Sequence, residues 1–273
     1  MFFHFYKYQG AGNDFVILDN RLEEYNRLDQ KDIFLICDRH FGVGADGLML
    51  LNKHAEADFE MKYFNADGKE GTMCGNGGRC ITAFAKHKGL IEEETTFMAV
   101  DGLHQARITR DNWVELKMQD VSTVEIGYDY AILDTGSPHY IQFTEFLGDV
   151  DVVAEGRKIR QQERFMPDGI NVNFLEYGTR ALQVRTYERG VENETLACGT
   201  GITACALVSA GNQNKHYQVP VQVKGGDLEV RFDKVDQQHF TNIWLCGPAE
   251  KVFEGDMQSN EQWKERLTVF EHF

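Results

Sequence analysis

Cys74 and Cys198 stand at the head of two closely similar stretches, CGNGGRCITAFA and CGTGITACALVSA. Each places a cysteine before Gly-x-Gly and an Ala-rich apolar run, the pattern of a helix that opens on glycine. A cysteine at such a helix start lies beside backbone N–H groups without intrahelical partners and at the positive end of the helix dipole, which favours thiolate over thiol. The same N–H groups form an anion site. Gly75, Asn76, Gly199 and Thr200 would cradle a carboxylate there and stabilise the charge that spreads onto it as the neighbouring proton leaves. One such loop alone reads as a tight turn with a small buried cysteine. Two in phase read as a thiol base and a thiol acid. Inverting a carbon centre needs those on opposite faces, and two equivalent helix starts facing one cleft would supply them with no cofactor.

The elements that must position the two thiols repeat with them. The cysteines are 124 residues apart, and the same offset relates the hairpin turn at Asp101-Gly102 to that at Gly225-Gly226. Upstream, the strand end Tyr63-Phe64-Asn65 precedes the first cysteine as Thr186-Tyr187-Glu188 precedes the second, with the second loop one residue longer. The expected architecture is therefore mixed α/β. Two similar lobes related by a pseudo-two-fold repeat each wrap a curved mixed sheet around a central helix. The N-terminal lobe is expected over 1–119, completed by about 257–273, and the C-terminal lobe over 120–256, with a crossover near Met118 to Val124. LDQKDIFLICDR and VDVVAEGRKIRQQER have helical apolar spacing and predict one further helix in each lobe.

Composition narrows the function classes. Glycine is abundant (26) against 4 prolines, and 19 phenylalanines and 10 tyrosines favour strands joined by tight turns. A net charge of −15, with no long basic run, argues against nucleic acid and anionic membrane surfaces as partners. The aromatic start MFFHFYKYQG has no basic leader and no stretch reaches the length of a membrane span, so a cytoplasmic protein is expected. The six cysteines are too sparse for a disulfide framework and include no CxxC pair, so free thiols are expected and no metal site. Cys80 and Cys205 fall inside the helices and read as packing, as do Cys37 and Cys246.

With GAGNDF (10–15), FGVGADG (41–47), FNADG (64–68), MCGNGGRC (73–80), GSPHY (136–140) and ERGVENETLACGTGITA (188–204), the chain resembles diaminopimelate epimerase from end to end. The resemblance implies a cofactor-independent, usually homodimeric cytoplasmic enzyme that converts LL-2,6-diaminopimelate to the meso form for lysine and peptidoglycan synthesis. It implies Cys74 and Cys198 as the catalytic base and acid, and His139 and Glu188 as residues that tune thiol ionisation. Asn13, Asn65, Asn171, Glu188 and Arg189 fall on substrate-holding positions. Arg189 offers a fork of donors to a carboxylate, and asparagine can serve either a carboxylate or an ammonium group. Two positions depart from the common pattern. Ser137 stands where many members carry a substrate-contacting asparagine, and Gly47 where some carry glutamine.

Three other readings compete. A proline or hydroxyproline racemase also pairs two cysteines, but its first motif generally carries histidine after Cys-Gly, where this chain has Asn76, and proline lacks a second charged end for Glu188 and Arg189. A thiol switch would use the two cysteines as a disulfide. A non-catalytic amino-acid-binding protein would keep the cradle without needing paired thiols.

Overall fold

The computed structural model describes residues 2–71, 73–110 and 112–258. They form two compact units. One holds the residues up to Val114 together with those from Ala249, and the other spans Glu115–Pro248.

The first unit is built from β1 (Phe2–Gly10), β2 (Asn13–Asp19), α1 (Gln30–Cys37), β3 (Gly47–Asn52), β4 (Phe59–Asn65), α2 (Gly75–His87), β5 (Glu94–Ala99) and β6 (Gly102–Arg110). β7 (Trp113–Lys117) spans the boundary. The second unit continues with β8 (Val124–Ile126), β9 (Tyr130–Asp134), β10 (Pro138–Phe143), α3 (Val152–Arg160), β11 (Asn171–Tyr177), β12 (Leu182–Glu188), β13 (Asn193–Thr195), α4 (Gly199–Val208), β14 (His216–Val223), β15 (Gly226–Lys234) and β16 (Phe240–Pro248). The chain then returns to the first unit as β17 (Glu250–Gln258).

The strand pairings repeat. In the first unit β1 is antiparallel to β2, β2 parallel to β3, β3 antiparallel to β4, β4 parallel to β5 and β5 antiparallel to β6. In the second, β9, β10, β11, β12, β14 and β15 pair in the same sequence of directions. The parallel neighbours require crossovers, and those crossovers carry the helices.

Each sheet is covered on both faces, which is why strands such as FVIL in β2 are continuously apolar. In the first unit Val16, Leu18, Leu48 and Leu50 pack with Ile33, Leu35 and Ile36 of α1. The other side receives α2, which contacts β1, β2, β3, β6 and β17. α4 touches strands from β9 to β16, and this encirclement explains why its sequence is apolar on all sides. α3 closes the outer face of the second unit over Tyr140, Val172, Phe174 and Tyr187. Gly156 lets it seat there, because a Cβ at that position would come within 2.4 Å of Tyr187 Cβ.

The boundaries differ from those read in the sequence. Residues 115–119 belong to the second unit because the backbone N–H of Met118 donates to Ile243 C=O at 2.9 Å, and Val121 bridges Phe240 on β16. Residues 249–256 belong to the first, because the Ala249 N–H donates to the Asn112 carbonyl and β17 pairs antiparallel with β1. These contacts are remote in sequence, so local patterning does not reveal them. The closing stretch expected from 257 lies outside the described residues after Gln258.

A charged network fixes the β1–β2 turn. Lys7, almost wholly buried, pairs with Asp14 at 2.7 Å and donates to the Gly44 carbonyl. Arg39 grips both oxygens of Asp14, at 3.0 and 2.8 Å, and reaches Asp46 at 2.7 Å. Burial pushes the Asp14 carboxyl up, but the Arg39 and Lys7 donors outweigh it and hold it at about 2.

Two outcomes test this packing. Gly156→Ala forces a methyl against the Cβ of Tyr187, an atom fixed to its backbone, and should lower unfolding free energy by about 1–3 kcal/mol in urea titrations. Because its folded carboxyl lies below the ordinary 3.8, Asp14 contributes stability that is present above that pH and lost as pH falls toward about 2. The stability of Asp14→Asn should therefore fall less steeply than that of the native chain across that window.

Candidate active site

The helices differ in how they begin. α1 and α3 start on Asp29 and Asp151, whose carboxylates accept from the N–H groups of Asp32 and Ala154. α2 and α4 start on Cys74 and Cys198 instead. Both are extended N-cap residues (φ −104° and −116°) that make no side-chain cap bond. No N-cap side chain closes off the first-turn N–H groups of Gly75 and Asn76 or of Gly199 and Thr200, so the two sulfurs sit where the dipole favours negative charge.

In the first unit, Asn13 and Asn76 gather at Cys74. Cys74 Sγ donates to Asn13 Oδ1 at 3.6 Å, and Asn76 Nδ2 donates to the same oxygen at 3.3 Å. The Asn13 amide is set from behind, because its Nδ2 donates to Asp46 Oδ2 at 2.5 Å. Arg79, wholly buried, donates to Asn76 Oδ1 at 2.9 Å and to the Gly75 carbonyl at 3.3 Å, bringing a cation under the helix start. Asn65 is exposed at the end of β4, opposite Gly47 in the ladder. The ring of Tyr63 covers Gly47, where a Cβ would lie 2.5 Å from it, so a longer residue there requires the tyrosine to move.

In the second unit, His139 and Thr200 gather at Cys198. Thr200 Oγ1 lies 3.5 Å from Cys198 Sγ, and His139 Nε2 lies 2.8 Å from Thr200 Oγ1. His139 is wholly buried; burial, helped by the Arg189 charge, holds its imidazole at about 3, so the ring is neutral. Asn171 donates to Ser137 Oγ at 2.8 Å and accepts from the Arg189 backbone N–H at 2.9 Å. Ser137, the departure noted in the sequence, thus has Asn171 as its partner. Glu188 and Arg189 close the end of β12, both half-buried, and Arg189 reaches the Asp168 carbonyl at 3.5 Å.

The sequence pointed to neither the Arg39–Asp46 support of Asn13, nor Arg79, nor the buried pair Asn173 and Thr186 beneath His139. Asn173 did leave a signal in INVNF: two asparagines at i and i+2 share one face of a strand that is otherwise apolar. The remaining cysteines are buried and form no disulfide among the described residues. Burial pushes the Cys37 thiol to about 12 and moves Cys80 and Cys205 well up, which leaves them inert. Among the described residues no group of three or more His, Cys, Asp or Glu side chains is arranged to hold a metal ion, and no helix is long and apolar enough to cross a membrane.

Residues 5–124 and 131–252 match the family model for diaminopimelate epimerase. A diaminopimelate epimerase of Flavobacterium psychrophilum is 48% identical over 251 residues, covering 91% of this chain and 98% of that protein. One of Chlorobaculum tepidum is 44% identical over 257 residues, covering 90% and 98%. Among solved structures, a phenazine biosynthesis protein of the PhzF family from Bacillus anthracis superposes with a TM-score of 0.73 at 17% identity, over 95% of this chain and 100% of that one. A hydroxyproline epimerase of Agrobacterium vitis gives 0.67 at 15%, over 96% and 94%. At those identities the superpositions speak to the fold alone: a mixed α/β architecture dominated by sheet. The sequence matches speak to kinship, and by them the chain belongs to the diaminopimelate epimerase family.

Proposed function

We propose that this chain interconverts LL- and meso-2,6-diaminopimelate by moving a proton at one α-carbon with Cys74 and Cys198, without a cofactor. The observation that carries the reading is that a cysteine caps the central helix of each unit, at the same place in the same strand pattern, where the outer helices carry aspartate. One thiolate takes the α-proton and becomes a thiol. The electron pair spreads onto the substrate carboxylate, held by first-turn N–H groups, and the other thiol delivers a proton to the opposite face and becomes the thiolate. The enzyme then holds its proton on the other sulfur, poised for the reverse reaction. A neutral imidazole at His139 and the carboxylate of Glu188 tune the thiols. Arg189 binds a carboxylate of the substrate, while Asn13, Asn65 and Asn171 hold its polar groups. Family membership supports the substrate, with lysine and peptidoglycan precursor synthesis as its use, and supports a cytoplasmic homodimer as the working form.

Reduced protein incubated with LL-diaminopimelate should form the meso isomer, resolved by chiral chromatography. Cys74→Ser and Cys198→Ser should each lose roughly two to four orders of magnitude in kcat, and L-proline should be left unchanged. Absence of conversion under reducing conditions, or near-native rates in either variant, contradicts the reading. Light scattering should give a species of about twice the 31.2 kDa chain mass, and a monomer active at the same rate would refute the dimer as the working form.

A further inference from the structure

Beneath α4 runs a buried polar chain at a place where the first unit has Met49 and Phe15. Thr186 Oγ1 donates to Asn173 Oδ1 at 2.9 Å, and Asn173 Nδ2 lies 3.2 Å from the Tyr140 carbonyl and 3.0 Å from His139 Nδ1. A backbone carbonyl can only accept, so the amide must turn its NH2 toward Tyr140, and the same NH2 then donates to His139 Nδ1. A neutral imidazole that accepts at Nδ1 carries its proton on Nε2, which donates to Thr200 Oγ1 at 2.8 Å. With one lone pair taken, the Thr200 hydroxyl has its own proton to give, and Cys198 Sγ lies 3.5 Å away. The chain has no slack at Gly201, where a Cβ would sit 2.2 Å from Asn173 Oδ1 and 3.2 Å from His139 Cε1. At the matching place in the first unit, Gly77 faces Met49 and Phe15, which can relay no hydrogen bond.

We propose that Asn173 is a positioning residue: by fixing the His139 tautomer it aims the Thr200 hydroxyl proton at the Cys198 sulfur and favours the thiolate there. The role assigned to that thiolate rests on the proton-transfer reading above; the hydrogen-bond chain does not. The ionisable groups around Cys198 on its own unit include His139 on β10, reached through Thr200, and Cys205 on α4, with Arg189 acting on His139 and Glu188 at the end of β12. None of them is altered in the variants that follow.

Two measurements on the full chain, neither needing substrate, test this. In protein labelled with 15N-histidine, at a pH where the ring is neutral, His139 should show a protonated Nε2 and a bare Nδ1. Asn173→Asp, nearly the same shape but an acceptor, should move the proton to Nδ1. Alkylation of Cys198 by iodoacetamide, resolved by mass spectrometry at neutral pH, should slow roughly three- to tenfold in Thr200→Val while Cys74 is unaffected. Asn173→Asp should slow Cys198 more when Thr200 is present than in the Thr200→Val background, where only its added charge acts. A native ring protonated at Nδ1, or an unchanged Cys198 rate in Thr200→Val, overturns the proposal, and both results are available even where Asn173→Asp does not fold. If these outcomes hold but diaminopimelate is not turned over, the relay stands and the substrate assignment falls.

Discussion

A cysteine in place of a capping carboxylate is the constraint on which the rest of this structure depends. A helix that begins on aspartate satisfies one of its own first-turn donors, as α1 and α3 do. One that begins on cysteine without a cap bond leaves its first turn unclosed by the N-cap side chain, and it sets the sulfur at the positive end of the helix dipole. The glycines three residues on, Gly77 and Gly201, let each helix start seat closely on the strands beneath it. The sheet around each helix supplies the burial that a short apolar segment cannot obtain alone, and the parallel crossovers carry the chain between strands at the spacing this requires.

The two units share a backbone plan but not a polar plan. Under α2 the strands present Phe15 and Met49, with Asn13 held by Asp46 beside the sulfur. Under α4 the corresponding strands present His139 and Asn173, with a hydroxyl beside the sulfur. An acceptor faces one thiol and a donor faces the other. The two sulfurs therefore have different neighbours, an amide oxygen with a buried guanidinium nearby in one case and a relay of neutral groups in the other.

What could be read in the sequence follows the range of the interactions. Glycine-opened helices, the hairpin turns at Gly102 and Gly226 and the helical spacing over Gln30–Cys37 are local matters, and each stands where its residues predicted it. The repeat extended that local evidence to the whole architecture. The unit boundaries depend on β16 and β17 meeting partners more than a hundred residues away, and no neighbouring residue announces that. The same holds within the site. The place of Cys74 and Cys198 at helix starts was legible because a glycine-opened helix is a local motif, whereas Asp46 reaches Asn13, and Asn173 reaches His139, only through the register of parallel strands.

The central claim is that two thiols, not one, handle the proton. The most direct test is the early fate of deuterium when LL-diaminopimelate reacts in heavy water. If each sulfur serves one face and holds its own proton, the first meso product carries solvent deuterium at the inverted carbon while recovered LL substrate keeps its original hydrogen. Deuterium entering the recovered substrate as fast as the product would mean that a single base serves both faces, and would contradict the account.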